Sequence, residues 1–151
     1  MNKLNVCVDV KYKFRYKKDF QNILNIFANN LKYKKPLIVD VLITDNKNIR
    51  NISNQYRDID KETDVLSFPF HFENFSNEIG HLFLGEIILS FEKIQEQAKK
   101  FNHSIRREFC FLFAHGLVHL SGRDHKKDLD EEKKFNDIVY NIINKTNIKR
   151  G

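Results

Sequence analysis

The chain has 151 residues, a length typical of one domain, and 41% of them are hydrophobic, which is enough to bury a core without covalent cross-links. Its two cysteines lie far apart in apolar segments, which favours a reduced cytoplasmic compartment over a disulfide framework. No apolar run reaches the roughly 18 residues of a membrane span, and the alternating N-terminal segment lacks the apolar region of a signal peptide. The formal net charge of +6 fits two interpretations equally well: a polyanionic partner, either a nucleic acid or an anionic lipid surface, or a charge that serves only solubility.

Hydrophobic periodicity predicts four strands and five helices along the chain. Apolar alternation and short apolar runs predict strands at residues 4–10, 37–44, 64–70 and 81–90. Helical spacing predicts helices at residues 18–31 and 105–120, and further helices that begin after Asp45, after Ser90 and at Asp128. This order of elements predicts an α/β or α+β domain with one mixed sheet and helices packed on it.

Single residues refine these elements. Pro69 indicates that the third strand lies at a sheet edge or ends there, and Gly85 indicates a bulge or a close backbone approach in the fourth. Gly122 is expected to stop the helix at 105–120. We also expect Phe101 to face inward from the helix after Ser90, and both Cys7 and Cys110 to be buried.

Two basic segments are candidates for contact with a polyanionic partner. Residues 11–18, KYKFRYKK, alternate basic and aromatic side chains, which suits either base stacking or a sheet-edge segment with its rings in the core and its lysines in water. We favour the second interpretation. A basic rim beside the helix at 105–120 is also expected, formed by Lys99, Lys100, Arg106 and Arg107.

Residues 115–125, HGLVHLSGRDH, carry three histidines. His115 and His119 are one helical turn apart and therefore share a face, and the stop at Gly122 allows the chain to bring His125 back toward them. Three imidazoles with an open fourth position are typical of a catalytic zinc site, because a structural zinc takes four protein ligands. Nickel, cobalt and iron fit the same ligands. The other histidines are interpreted as ordinary structural residues: His71, His81 and His103.

Gly116 separates this pattern from that of the zinc proteases with similar histidine spacing. Those enzymes carry a glutamate directly after the first histidine, which serves as the base for water. A glutamate introduced at Gly116 is expected to leave the fold intact and to place its charge beside the metal. The missing carboxylate argues against peptide hydrolysis.

Three blocks of the sequence resemble the YbeY family of bacterial metal-dependent endoribonucleases. HGLVHLSGRDH is similar to the family's H-G-x-L-H-L-x-G-y-D-H, and NQYRDIDKETDVLSFPF is similar to Y-R-x-x-D-x-x-T-[DN]-V-L-S-F-P-F. LGEIILS resembles a third stretch, with Glu86 where aspartate is common. Ser121 and Arg123 also depart from the family pattern, at positions where leucine and tyrosine are common.

The resemblance implies an α+β fold, with residues 1–151 forming one domain and a metal cleft at the histidine-bearing helix. It assigns the metal ligands to His115, His119 and His125, with one Zn²⁺ per chain, and an important arginine to Arg57. A guanidinium there suits the charge that develops on phosphate oxygens during hydrolysis. Further candidates for the substrate cleft or for orienting the ligands follow from the same blocks: Thr63, Asp64, Ser67, Arg123 and Asp124.

The implied function is cytoplasmic cleavage of single-stranded RNA in ribosomal RNA maturation, notably at the 3′ end of the small-subunit RNA, and in ribosome quality control. RNA and the ribosome are then the partners, without a membrane, and the oligomeric state stays open. The alternatives are a metal-dependent hydrolase of another substrate, and an RNA- or ribosome-binding module whose metal only stabilises the fold.

Overall fold

The computed structural model describes residues 1–57, 63–70, 80–122, 129–146 and 148. In chain order, the four strands are β1 (Lys3–Val8), β2 (Leu37–Thr44), β3 (Val65–Pro69) and β4 (Leu82–Ser90). Five helices lie within the described residues: α1 (Lys17–Asn30), α2 (Asn46–Arg57), α3 (Phe91–Lys100), α4 (Ile105–Leu120) and α5 (Leu129–Asn144). Within these residues, the type and order of the predicted elements are confirmed.

The four strands form one mixed sheet in the order β1-β2-β4-β3. β1 and β4 both run parallel to β2, whereas β3 runs antiparallel to β4 and forms one edge. Pro69 is the last residue of this edge strand, as its missing N–H requires. The predicted α+β class, with one mixed sheet packed by helices, is confirmed.

The main core lies on one face of the sheet. There, α1, α4 and α5 pack together over the alternate residues of β2 and β4 that point to that face, such as Val41 and Ile87. The opposite face carries a smaller cluster, in which Ile49 of α2 packs against Leu66 and Ile88. Helix α4 therefore lies at the centre of the larger layer, and most of its residues are buried.

Local side chains explain where three helices begin. The side-chain oxygen of Asp45 accepts a hydrogen bond from the Asn48 backbone N–H at 2.8 Å, and Ser104 accepts one from Arg107 N–H at 3.0 Å. Ser90 caps α3 in the same way. These bonds satisfy backbone donors that the first helical turn leaves without partners, so the caps were readable from the sequence. The residue predicted to begin α5, Asp128, lies outside the described residues.

Gly85 introduces the irregularity expected in β4. The register skips a residue of β4, because Ile38 pairs with Phe83 while Val39 pairs with Gly85. Gly85 has φ of +147°, and a Cβ there would lie 2.3 Å from the backbone oxygen of Phe68. Both the bulge and the close backbone approach are thus present, and only glycine fits.

Two details differ from the expectations from sequence. Cys7 is exposed on edge strand β1, whereas Cys110 is buried as expected. Phe101 is 54% exposed instead of facing inward, because α3 ends at Lys100 and the chain turns through Asn102 with φ of +57°. Finally, among the described helices, none has the length and apolar character needed to cross a bilayer.

The basic and aromatic segment at residues 11–18 has its rings packed into the protein. The Tyr12 ring stacks on Phe91 with centroids 3.9 Å apart, and Phe14 packs edge-on against Phe20 and Phe109. Its basic side chains are exposed. The rings are therefore part of the core, as we favoured, although the segment is a connection between β1 and α1 and not a strand.

Candidate functional site

One face of α4 carries the candidate site. His115 and His119 lie one turn apart, and their ring centroids are 4.8 Å from each other. The Phe135 ring of α5 lies 4.8 Å from each imidazole centroid and packs against both. Both histidines are half-buried. The predicted pair of imidazoles is therefore brought together on one side of a buried helix.

The two histidines are suitable ligands for a transition metal. Imidazole nitrogens one turn apart are a common donor set for zinc. Gly122 has φ of +95°, and its N–H donates to the His119 carbonyl oxygen at 3.0 Å, so the chain turns directly after the helix as predicted. His125, the third predicted ligand, lies outside the described residues. Within the described ranges, no three metal-binding side chains come together.

Gly116 faces away from the histidine pair. It is buried, and a Cβ at this position would lie 3.0 to 3.2 Å from three side-chain atoms of Ile87 in β4. Because a Cβ at residue 116 points at the sheet, the close contact with Ile87 argues against the expectation that a glutamate here would fold normally and sit beside the metal; that expectation stays a prediction. Glycine at this position permits a close approach between the helix and the sheet.

The predicted cleft residues of the second block lie at the start of β3. Thr63 precedes the strand, and the Asp64 carboxylate accepts a hydrogen bond from Gln97 Nε2 at 3.2 Å. The Asp64 backbone carbonyl also accepts from Ser90 N–H at 3.0 Å, which ties this segment to the start of α3. Ser67 is buried within the strand.

The remaining predicted site residues are described incompletely. Arg57 is the last residue of α2, and the structure describes its backbone position only. Arg123 and Asp124 lie outside the described residues, between α4 and α5. Their proposed roles stay predictions.

The expected basic rim is not a set of four exposed cations. Arg106 donates two hydrogen bonds to the Asp19 carboxylate of α1, at 2.8 and 2.9 Å, and thereby joins α4 to α1. Arg107 is only 7% exposed and lies over the Phe111 ring. Only Lys99 and Lys100 remain exposed as expected.

A cavity beside the histidine face was missed by the sequence analysis. It has a volume of about 280 Å³, and we call it the Arg107 cavity, after the buried side chain in its wall; other lining residues are Asp64, Glu108, Phe111 and Tyr140. Arg107, Phe111, His115 and His119 recur at every fourth position of α4 and hence share one face. That spacing was the signal in the sequence that connects the cavity with the histidines.

Burial controls the ionisation of several groups near these elements. Burial, followed by the neighbouring Asp64 charge, raises the pKa of Glu108, while His103 and Arg107 act in the opposite direction. Burial also raises the pKa of the Cys110 thiol to about 12, so this residue of α4 stays protonated and does not serve as a nucleophile. On the other face of the sheet, burial and the nearby Asp40 raise the pKa of Glu86.

The fold and this helix define a class: an α+β domain in which a buried central helix presents two histidines on one face. Residues 4–147 match the family of endoribonuclease YbeY. The curated relatives named endoribonuclease YbeY include a protein of Mycoplasma mobile, 54% identical over 99% of this chain and 97% of its own length. Another, from Mycoplasmopsis pulmonis, is 49% identical over 99% of this chain and its whole length.

The chain therefore belongs to the endoribonuclease YbeY family, whose members hydrolyse phosphodiester bonds of RNA and are metal-dependent. A relative from Fusobacterium nucleatum with the same name is 37% identical over 86% of this chain and 80% of its own length. A protein from Thermotoga maritima, whose structure was solved in solution, superposes with a TM-score of 0.58 over 94% of this chain and 90% of its own. At 23% identity, that likeness supports the fold alone.

Proposed function

We propose that this chain cleaves single-stranded RNA at a metal ion held by His115, His119 and His125, and that residues 1–151 act as one catalytic unit. The observation that carries the proposal is the pair of imidazoles, 4.8 Å apart, on one face of a buried helix in a member of an endoribonuclease family. One Zn²⁺ per chain is the ion that suits imidazole ligands best.

The chemistry divides between the ion and the chain. When bound, the metal supplies Lewis-acid stabilisation of charge on the phosphodiester and activates water. The histidine side chains hold it, and the Phe135 ring, packed against both described imidazoles, limits their rotation. A metal alone leaves part of the negative charge on the phosphate oxygens without compensation. Arg57 is proposed to donate two parallel hydrogen bonds to these oxygens.

The biological setting follows from the family. We propose that the substrate is ribosomal RNA, that cleavage serves maturation of the small-subunit RNA 3′ end and ribosome quality control, and that the enzyme works in the cytoplasm on or near the ribosome. The formal charge of +6 supports binding to a polyanion, and the exposed Lys99 and Lys100 contribute to this positive charge.

Cleavage assays with four matched substrates test this function. The full chain, loaded with Zn²⁺, is incubated with labelled single-stranded RNA, the corresponding RNA duplex, DNA of the same sequence, and casein. We expect internal cleavage of single-stranded RNA, loss of this activity after chelation, and recovery on adding the metal back. Cleavage of casein would favour a hydrolase of another substrate, and RNA binding without cleavage would favour a binding module.

A further inference from the structure

The Arg107 cavity contains two buried nitrogen atoms that lack a hydrogen-bond partner among the described residues. One is Nη1 of Arg107, whose side chain is more than nine-tenths buried, and the other is Nδ1 of His103 at the same cavity. Leaving a buried polar group without a partner destabilises a protein, and for a charged group the effect is larger. An acceptor supplied by a ligand would satisfy the guanidinium.

Glu108 places an acceptor beside this donor. It is also 7% exposed and lines the same cavity, and burial raises the pKa of its carboxyl group. The second carboxylate of the cavity, Asp64, is already engaged by the Gln97 amide and by the Thr63 hydroxyl. The groups available to a ligand are therefore a guanidinium N–H, Nδ1 of His103 and the Glu108 carboxyl group.

The charges of the cavity disfavour the two simplest ligands. A phosphate group would meet the Asp64 and Glu108 carboxyl groups as well as the Arg107 guanidinium and the His103 ring, so repulsion from the carboxyl groups would oppose the attraction to the arginine. A second metal ion would meet the Arg107 cation, and no group of three metal-binding side chains exists in the part of the chain that the structure describes. A neutral ligand with both donors and acceptors suits the cavity better.

Aromatic rings add a flat apolar surface to these polar groups. The Phe111 and Tyr140 ring centroids lie 5.7 Å apart on the cavity wall, and the Arg107 guanidinium lies 5.4 Å from the Phe111 centroid. Proteins that bind single-stranded RNA stack unpaired bases on such rings and guanidinium planes, and bond their edges to side chains.

We propose that the Arg107 cavity binds a guanine base of the RNA substrate, next to the phosphodiester that is cleaved. The Phe111 ring links the two sites, since its centroid is 6.3 Å from that of His115. This inference rests on the proposed function. It assigns base selection to a part of α4 that is separate from the metal ligands.

Guanine fits the polar groups best among the four bases. Its pairing edge presents two neighbouring donors, which match the Glu108 carboxylate, beside a carbonyl oxygen that accepts from the Arg107 N–H. In protein–DNA complexes, arginine commonly donates to the same guanine carbonyl oxygen. Adenine and cytosine offer a single exocyclic amino group, and uracil offers one ring N–H between two carbonyls.

Equilibrium binding of the four nucleoside 5′-monophosphates tests the subsite without requiring cleavage. The Zn²⁺-loaded full chain is titrated with each nucleotide by calorimetry, and we expect guanosine monophosphate to bind about tenfold more tightly than the other three. Glu108→Gln should remove this preference, because an amide cannot accept both guanine donors. Arg106→Met is the matched control, since Arg106 is the neighbouring arginine but is bonded to Asp19 and does not line the cavity.

A second measurement maps cleavage positions in single-stranded RNA that contains one guanosine among uridines. Cuts adjacent to the guanosine in wild type and Arg106→Met, but scattered cuts in Glu108→Gln, would support the proposal. Equal binding of the four nucleotides to wild type, or a guanine preference that survives in folded Glu108→Gln, would overturn it. A chain that selects guanosine monophosphate but cuts no RNA would support the base subsite and refute the nuclease function.

Discussion

Replacing Gly116 by alanine tests whether the glycine between the two histidines serves packing or chemistry. The new methyl group would lie 3.0 Å from Cδ1 of Ile87 and 3.1 to 3.2 Å from its Cγ atoms, which is too close for an undisturbed contact. Overpacking of this kind costs about 1–3 kcal/mol, whereas glycine-to-alanine in a helix gains about 1 kcal/mol. We therefore expect Gly116→Ala to lose roughly 0–2 kcal/mol of unfolding free energy.

A second substitution isolates the contact. Ile87→Val removes the Cδ1 atom nearest to the new methyl group and by itself should cost about 0.5–1.5 kcal/mol. In the double variant the alanine methyl partly fills the space that Cδ1 leaves. The two losses should therefore fail to add, with a favourable coupling of about 1 kcal/mol. For a chain of this length, 1 kcal/mol corresponds to a change in melting temperature of about 2–4 °C.

The assay is urea and thermal unfolding of the wild type, both single variants and the double variant, together with metal content and RNA cleavage. Because Gly116 faces the sheet and not the histidines, the folded single variant should keep its metal and its activity. A stabilised Gly116→Ala protein with additive effects in the double variant would refute the packing argument. Full stability combined with loss of RNA cleavage would instead show that the glycine serves the reaction.

Three further substitutions test a proposed metal ligand, the proposed catalytic arginine and the partly buried carboxyl group of Glu86. Wild type should contain about one transition-metal ion per chain by metal analysis, and His119→Ala should lose it, since two imidazoles rarely retain zinc. Arg57→Ala should lower the RNA cleavage rate by about 10²–10³-fold with metal content and melting temperature preserved. Glu86→Gln should raise the melting temperature at neutral pH, because burial and Asp40 disfavour the ionised Glu86 carboxyl group.

The stability gained by Glu86→Gln should depend on pH in one direction. Because the pKa of Glu86 is raised in the folded chain, the folded chain keeps the Glu86 proton at a pH where the unfolded chain has lost it. The stability that this group contributes to the wild type is therefore complete in acid, and it is lost as the pH rises through the raised pKa. The variant's advantage should consequently appear only on the alkaline side of that range. An advantage of equal size in acid would contradict this cause, and Glu96→Gln, an exposed carboxylate, is the control.

The control for Arg57→Ala is another arginine of the same helix. Arg50 lies on α2 and has an exposed side chain, and Arg50→Ala should cleave RNA normally. Full metal occupancy of His119→Ala would remove that histidine from the ligands, and an unchanged cleavage rate in Arg57→Ala would remove the arginine from the catalytic groups.

Local signals predicted the helices and strands well because their causes are local. The caps at Ser90 and Ser104 act on the first turn of their own helices, and Gly122 ends α4 through its own φ angle. The spacing of His115 and His119 likewise follows from the helix period alone. Hence both the α4 boundaries and the pairing of the two described histidines were readable from the sequence.

Non-local packing decided what the sequence did not reveal. The cavity combines Asp64 from the start of β3 with Arg107 from α4 and Tyr140 from α5, and no pattern along the chain announces that these segments meet. The orientation of Gly116 is also a matter of packing: neighbours on a helix point about 100° apart, but only the contact with Ile87 of β4 shows that residue 116 faces the sheet. Phe101 was misplaced because the periodicity was extended one residue beyond the end of α3.

The Phe135 ring packed against His115 and His119 has an energetic consequence for ion capture. A side chain that rotates freely loses entropy when it binds, and that loss weakens affinity. Two imidazoles already restrained by a neighbouring ring on a rigid helix have less entropy left to lose. At the proposed metal site, the cost of ordering these two ligands would thus be met largely when the chain folds, and the packing of α5 on α4 would contribute to how tightly the ion is held.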